Sequence, residues 1–285
     1  MAAGVNRAFG AIGLAALLGC AACTAVVDPD PLVQARNANQ AHHVSERFER
    51  RPVVVDDPWG FETARMFFDA SETLVVAEDM VEAQLRAASI AVVAHAPLLV
   101  YTPQTRERIV AEVQRLKTHT VLTVGDVAIA QTSGSIRVIR DPGGFDALGT
   151  MTTLRFDVDE VATPANAAGA VAGIDPTQPT WLRATWAEPV VMPNAAARPF
   201  PIHSRRDADM APVVVATAET SIPAVANARS FGARVTMVDE PDPTKSRDTL
   251  LALAGLAHAP LIALGNQLGS SEGLSEKIMR AEVNY

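Results

Sequence analysis

The sequence predicts an α/β fold: two related Rossmann-like parallel-sheet units joined by a partly β-rich, Pro/Ala-rich segment. Three observations predict it. Short Val- and Leu-rich runs alternate with helical stretches and lack the apolar–polar alternation of half-exposed strands, so sheets covered on both faces are expected. The order of runs between residues 61 and 124 recurs between 212 and 264, at a nearly constant offset. A hydrophobic content of 48% against 20% charge is that of a core-forming chain, and with aromatics at 5% the apolar mass is mostly Ala and Val, which suits close-packed layers.

The chain opens with Met1-Ala-Ala-Gly-Val-Asn-Arg7, and then Ala8 to Val27 carries no charge until Asp28. That pattern is an export signal. Within it, Leu17-Leu18-Gly19-Cys20 resembles the lipobox of bacterial lipoproteins. The resemblance implies a signal peptide over 1–19, cleavage before Cys20, and acylation of the Cys20 thiol. Two acyl chains hold a membrane stably where one does not. Two other readings compete: an uncleaved transmembrane anchor, and an ordinary secretory signal cut near Ala21-Ala22. The run holds seven Ala and three Gly, which makes it weakly apolar for a permanent span. Cys23 is the less suitable position for the lipid, because Cys20 would then stand where the motif wants Leu. All three readings place the rest of the chain outside the cytoplasm.

Residues 20–55 are read as a tether. They include Asp28-Pro-Asp-Pro31, a polar stretch and the charged run Ser45-Glu-Arg-Phe-Glu-Arg-Arg51, with room for a short helix. His42-His43 is read as solvated, since adjacent side chains point apart and no third ligand is near. The first unit covers 56–140. It is expected to run from a helix over Phe61–Phe68, through strand Thr73–Ala77, Ala-rich helix Val81–Ala94, strand Pro97–Tyr101 and amphipathic helix Thr105–Leu116, to strand Thr120–Val124. The connecting segment, 141–206, holds the turn Asp141-Pro-Gly-Gly144 and an alternating stretch over Thr152–Val158 that reads as a strand. Trp181 and Trp186 are its packing anchors. The second unit, 207–285, repeats the order with strands at Pro212–Ala216, Arg234–Val238 and Pro260–Leu264, and helices at Ser221–Phe231 and Asp248–Leu256. The chain stops at Glu282-Val-Asn-Tyr285 with no closing strand, so a truncated version of a longer protein is one expectation.

The first unit resembles the cell wall-binding repeat type 2 domain of Gram-positive surface proteins. The matching residues are Leu74-Val-Val-Ala77, Glu82-Ala83, Ala88, Ala96-Pro-Leu-Leu99, Ile109, Leu116, and Val121-Leu-Thr-Val-Gly125 followed by Asp126-Val-Ala128. A fainter match runs from 212 to 268. The resemblance implies a Rossmann-like fold without a nucleotide, and non-covalent attachment to anionic cell-wall polymers. The sequence departs from the family where Glu78-Asp79-Met80-Val81 replaces its Ser-Gly and Phe-Pro-Asp elements, where Asp126 replaces a glycine, and in having two units where three in tandem are common. Acids at Glu78 and Asp79 would repel an anionic polymer.

No G-x-G-x-x-G follows a strand, and neither G-x-x-x-x-G-K-[ST] nor H-E-x-x-H occurs, so no cofactor, metal site or catalytic residue is expected. Gly269-Ser-Ser-Glu-Gly273 fits G-x-S-x-G, but the expected strand stops at Leu264 and no histidine follows; a glycine-rich turn capping a helix over Leu274–Ala281 is expected instead. His95, His119 and His258 sit at helix ends or strand entries, where capping roles are the default. Glu78, Asp79, Gly125 and Asp126 are the candidate ligand-binding residues, because α/β sheets place ligands beyond the carboxyl ends of their strands. A net charge of −8 with no basic run excludes nucleic acid as a partner. The function expected is that of a non-catalytic envelope lipoprotein held to the membrane by lipid and contacting cell-wall polymer or an envelope protein. A solute-binding lipoprotein and an accessory portion of an envelope hydrolase are the alternatives.

Overall fold

The computed structural model describes residues 30–41, 43–129, 132–133, 135–189, 191–203 and 210–285. The export run, Cys20 and His42 lie outside the described residues. The fold is α/β, with parallel strands alternating with helices.

In chain order the elements are α1 (Pro31–Gln40), β1 (Pro52–Val55), α2 (Phe61–Phe67), β2 (Thr73–Glu78), α3 (Val81–Ala94), β3 (Leu98–Tyr101), α4 (Arg106–Arg115) and β4 (Thr120–Val124). The connecting region adds β5 (Thr132–Ser133), β6 (Ile136–Arg140), α5 (Phe145–Thr152), β7 (Asp157–Val161), α6 (Ala167–Gly173) and β8 (Thr180–Ala184). The last part is β9 (Val213–Ala216), α7 (Ile222–Phe231), β10 (Val235–Met237), α8 (Arg247–Leu253), β11 (Leu261–Leu264) and α9 (Ser271–Val283).

Two sheets carry the fold. One has the order β3-β2-β4-β6-β5, parallel except for the β5–β6 pair. The other is fully parallel, in the order β1-β11-β9-β10. The arrangement β4-β2-β3 in the first has the same order and chain sequence as β11-β9-β10 in the second, and a further parallel strand flanks β4 and β11 alike. Strands β2, β4 and β11 are buried along their length apart from Glu78, as expected for uninterrupted Val/Leu runs between helical layers.

Where a spacer is expected over 20–55, residues 30–55 instead fold onto the second unit. Asp30 caps α1 by accepting the Leu32 N–H at 2.8 Å, and α1 packs on α8. Asn39 donates to the carbonyls of Leu251, Ala252 and Ala254, closing the open end of α8. Pro52-Val-Val-Val55 pairs in register with Leu261–Leu264 and supplies that sheet's edge strand. Polar composition hid this, because the apolar part of the segment is only four residues long.

The connecting segment also differs. Thr152 ends α5 with its hydroxyl on the Leu148 carbonyl, and Thr153 turns the chain with φ 60°. The strand expected from 152 therefore begins only at Asp157. Strands β7 and β8 are parallel and joined through α6, so this region is a small βαβ unit of its own. Trp181 is 7% exposed and lies under Arg86, whose guanidinium carbon is 5.1 Å from the ring centroid; Trp186 donates to Glu82.

Helix α3 explains why the pieces form one body. It is Ala-rich, its residues from Ala83 to Ala94 are all buried, and it packs against β2, β8, α6 and α7 together. Small side chains allow that close approach on several sides. One apolar core accordingly runs through the first unit, the connecting segment and the second sheet.

Candidate functional site

The structure brings the four candidate residues together. Glu78 ends β2, and Gly125 follows β4 with φ +84°, a conformation that favours glycine. The Glu78 carboxylate lies over that glycine: a Cβ at Gly125 would stand 2.5 Å from Glu78 Oε2. The same oxygen accepts the Asp126 N–H at 2.9 Å. Asp79 is exposed, and its Oδ1 accepts from Gln84 Nε2 at 3.3 Å. The second sheet repeats the device with a neutral group. Gly265 follows β11 with φ +107°, the Gln267 side chain covers it, and Gln267 Nε2 donates to the Thr220 hydroxyl at 3.1 Å. At both strand ends the chain's own side chains occupy the space beside the glycine.

Ser270 and Ser271 of the G-x-S-x-G match are engaged in backbone contacts. Ser270 caps α9 by accepting the Gly273 N–H at 3.1 Å, and Ser271 Oγ accepts the Val54 N–H at 2.9 Å. Among the described residues no group of three or more His, Cys, Asp or Glu is placed to hold a metal ion, and no helix is long and apolar enough to cross a membrane.

Open space lies at the opposite end of the first sheet, beside the amino ends of β2 and β4. A cleft of about 630 Å³ is bounded there by the carboxyl ends of α2, α3, α4 and α7. Its apolar wall is Phe67, Phe68, Phe231 and Leu116, and the Phe67 and Phe231 ring centroids are 5.4 Å apart. Its polar wall is rich in nitrogen, with Arg47, His95, Lys117, His119 and His203 facing Asp69 and Glu72. Three of the six histidines of an acidic chain collect in this one place.

Each of these residues is placed by a local cause. Arg47 lies over the Phe48 and Phe231 rings and pairs with Asp69 at 2.9 Å. His95 is the left-handed residue that ends α3, with φ 53°, and its Nδ1 lies 3.1 Å from the Ser230 carbonyl; since a carbonyl only accepts, Nδ1 carries the proton. Lys117 ends α4 in the same left-handed conformation, and the His119 N–H donates to the Glu72 carbonyl. The His203 N–H donates to the Ala94 carbonyl, which brings its ring to the cleft. Ser230 is fully buried against the cleft.

Sequence reasoning singled out His95 and His119 as capping residues and missed Arg47, Lys117, His203 and Ser230. No local pattern marks them, because residues 47, 117, 203 and 230 meet only through the tertiary fold. His258, paired with His119 by the internal repeat, is exposed before β11 and outside this cleft. A second cleft, of about 680 Å³, lies beyond the Arg47–Asp69 pair, between α2 and the β1–β11 edge.

No family model matches the chain, and no relative is found among curated proteins. Two solved structures, Cwp6 and Cwp8 from Clostridium difficile, overlay with a TM-score of 0.46 each, at 14% and 13% identity. The overlays cover 81% and 82% of this chain, which spans about half the length of each, 48% and 52%.

Proposed function

We propose that this chain is a non-catalytic, lipid-anchored envelope protein whose α/β body contacts cell-wall polymer or an envelope protein. The observation that carries the reading is the uncharged run after Arg7 ending in Leu17-Leu18-Gly19-Cys20. A chain cut before Cys20 and acylated there would be held at the outer face of the membrane. The shared strand order of the two sheets supports reading them as diverged copies of one unit. The test is metabolic labelling with an alkyne fatty acid, followed by mass spectrometry of membrane-extracted chain, for wild type and Cys20→Ala. Label on residue 20, lost in the variant, is expected. An unlabelled chain that keeps Met1 and is recovered from cytosol would overturn the location. Sedimentation of the same material with purified walls tests the binding role.

A solute-binding lipoprotein is the second reading, favoured by the open, nitrogen-lined cleft of about 630 Å³. A binding site of that size suits a small molecule. Saturable binding of a small solute without sedimentation on walls would select it.

A further inference from the structure

The outer edge of a sheet presents backbone N–H and C=O groups that a further strand can use, unless the chain covers them. At several edges the chain covers its own. On β1 the Val54 N–H donates to the Ser271 hydroxyl. On β3 Asn227 takes both the N–H and the carbonyl of Leu98, and the Val100 N–H donates to the Trp59 carbonyl. On β8 the Leu182 N–H, which points away from β7, donates to the Ser89 hydroxyl of α3 at 2.9 Å.

The edge of β7 is left open. The Asp157 N–H donates to the Pro179 carbonyl and the Val161 carbonyl accepts the Thr185 N–H. In that register the backbone groups of residues 157, 159 and 161 face β8, and those of Val158 and Glu160 face outward. Among the described residues no group pairs with these outward N–H and C=O groups. Asp157, Val158, Asp159 and Glu160 are all exposed, Val158 by 46%, so neither face of the strand is covered. With β8 closed by α3, this two-stranded sheet can gain a third strand on the β7 side alone, and two strands by themselves are marginal.

The side chains select what can be added. Asp157 and Asp159 share one face of the strand, and among the described residues no cation pairs with either. Glu160, on the other face, is already held by Arg183 opposite it on β8. A second copy of the chain, set edge to edge, would bring these acids against their like, which is destabilising. A strand with a basic residue at every second position would instead set its cations beside Asp157 and Asp159, and the apolar residue between them beside Val158. We propose that the β7 edge takes an extended, basic peptide segment of a partner protein as a third strand of this small sheet. The proposal rests on the fold and not on Cys20, and it gives a chemistry to the protein partner of the envelope reading.

Fluorescence anisotropy of the full chain in detergent tests it, with a labelled, end-capped peptide alternating lysine and valine as probe and the same peptide with glutamate for lysine beside it. Saturable binding of the lysine peptide, about tenfold or more tighter than the glutamate one, is expected. Amide hydrogen exchange should slow at Val158 and Glu160 on binding, which loose attraction of a basic peptide to an acidic chain would not produce. Val158→Pro removes an outward N–H and leaves the ladder to β8, so it should bind about tenfold more weakly. Asp157→Asn/Asp159→Asn, at exposed positions, should lower affinity about threefold and flatten its salt dependence, and it reads out binding should the proline variant fail to fold. No saturable binding, equal binding of the two peptides, full affinity in either variant, or unchanged exchange at Val158 and Glu160 overturns the proposal. So does self-association of the chain through this edge, lost in Val158→Pro. The assay holds neither wall nor bilayer, so its failure is a result separate from failure of the labelling or sedimentation tests.

Discussion

Arg86 and Asp141 form a buried ion pair, with side chains 3% and 2% exposed, and the second guanidinium contact measures 2.9 Å. The Asp141 carboxylate also accepts the Gly143 N–H at 3.0 Å, so it fixes the turn that starts the connecting segment. Removing one member of such a pair leaves an uncompensated charge and costs about 3–5 kcal/mol, whereas an apolar pair of similar volume is often neutral. Asp141→Leu alone should therefore lower the melting temperature strongly, and Arg86→Met/Asp141→Leu should recover most of the loss. A double variant as unstable as the sum of the single ones would contradict this. Asn227 is fully buried; its amide donates to the carbonyls of Gly60 and Leu98 at 2.9 and 3.1 Å, and its oxygen accepts the Leu98 N–H at 2.6 Å. One side chain thus satisfies both backbone groups of an edge-strand residue. Asn227→Ala should cost roughly 2–4 kcal/mol in denaturant unfolding, from two orphaned backbone groups. Neither role was legible in the sequence. Arg86 stands in an otherwise apolar stretch that reads as a buried helix, and its partner is supplied by a turn 55 residues away.

The βαβαβ runs were legible because each strand is a compact apolar run between polar breaks and each helix carries its own period; α3 and β4 keep the expected boundaries, Val81–Ala94 and Thr120–Val124. Strand β1 was not, since four residues carry no period and the Ser271 hydroxyl that caps its outer edge lies 217 residues away. The expected candidate site was legible as a place, the strand ends, but not in its filling, because Glu78 lies over Gly125 only in three dimensions. The loop before α8 also answers to charge. Burial pushes the Asp242 carboxyl up, but the Thr244 hydroxyl and N–H and the Lys277 ammonium outweigh it and hold it below the ordinary carboxylate range. A depressed carboxyl contributes stability above the unfolded-state value, near 3.9, and that contribution is lost as pH falls through the lower folded value. Thermal melts between neutral and acid pH should thus drop less steeply for Asp242→Asn than for wild type. Parallel slopes would remove the contact from the acid response. Deleting residues 30–55 should expose the β11 edge and lower both solubility and melting temperature. Unchanged melting would mean that β1 contributes nothing to the sheet.

Across the whole molecule, one core joins both units and the connecting segment, with α3 and α7 packed on each other. Scanning calorimetry should therefore show one cooperative transition, with calorimetric and van't Hoff enthalpies in agreement. Two separated peaks would mean that the units unfold alone. The placement of β1 also imposes an order on the chain's emergence. Synthesis runs from the amino end, so the valines at 53–55 leave the ribosome 209 residues ahead of their pairing partners at 262–264. Closing so distant a contact is slow, and until it closes a sticky strand stands unmatched. A nascent chain arrested after residue 210 should accordingly keep residues 30–55 open to protease, and should become resistant there only once β11 has been made.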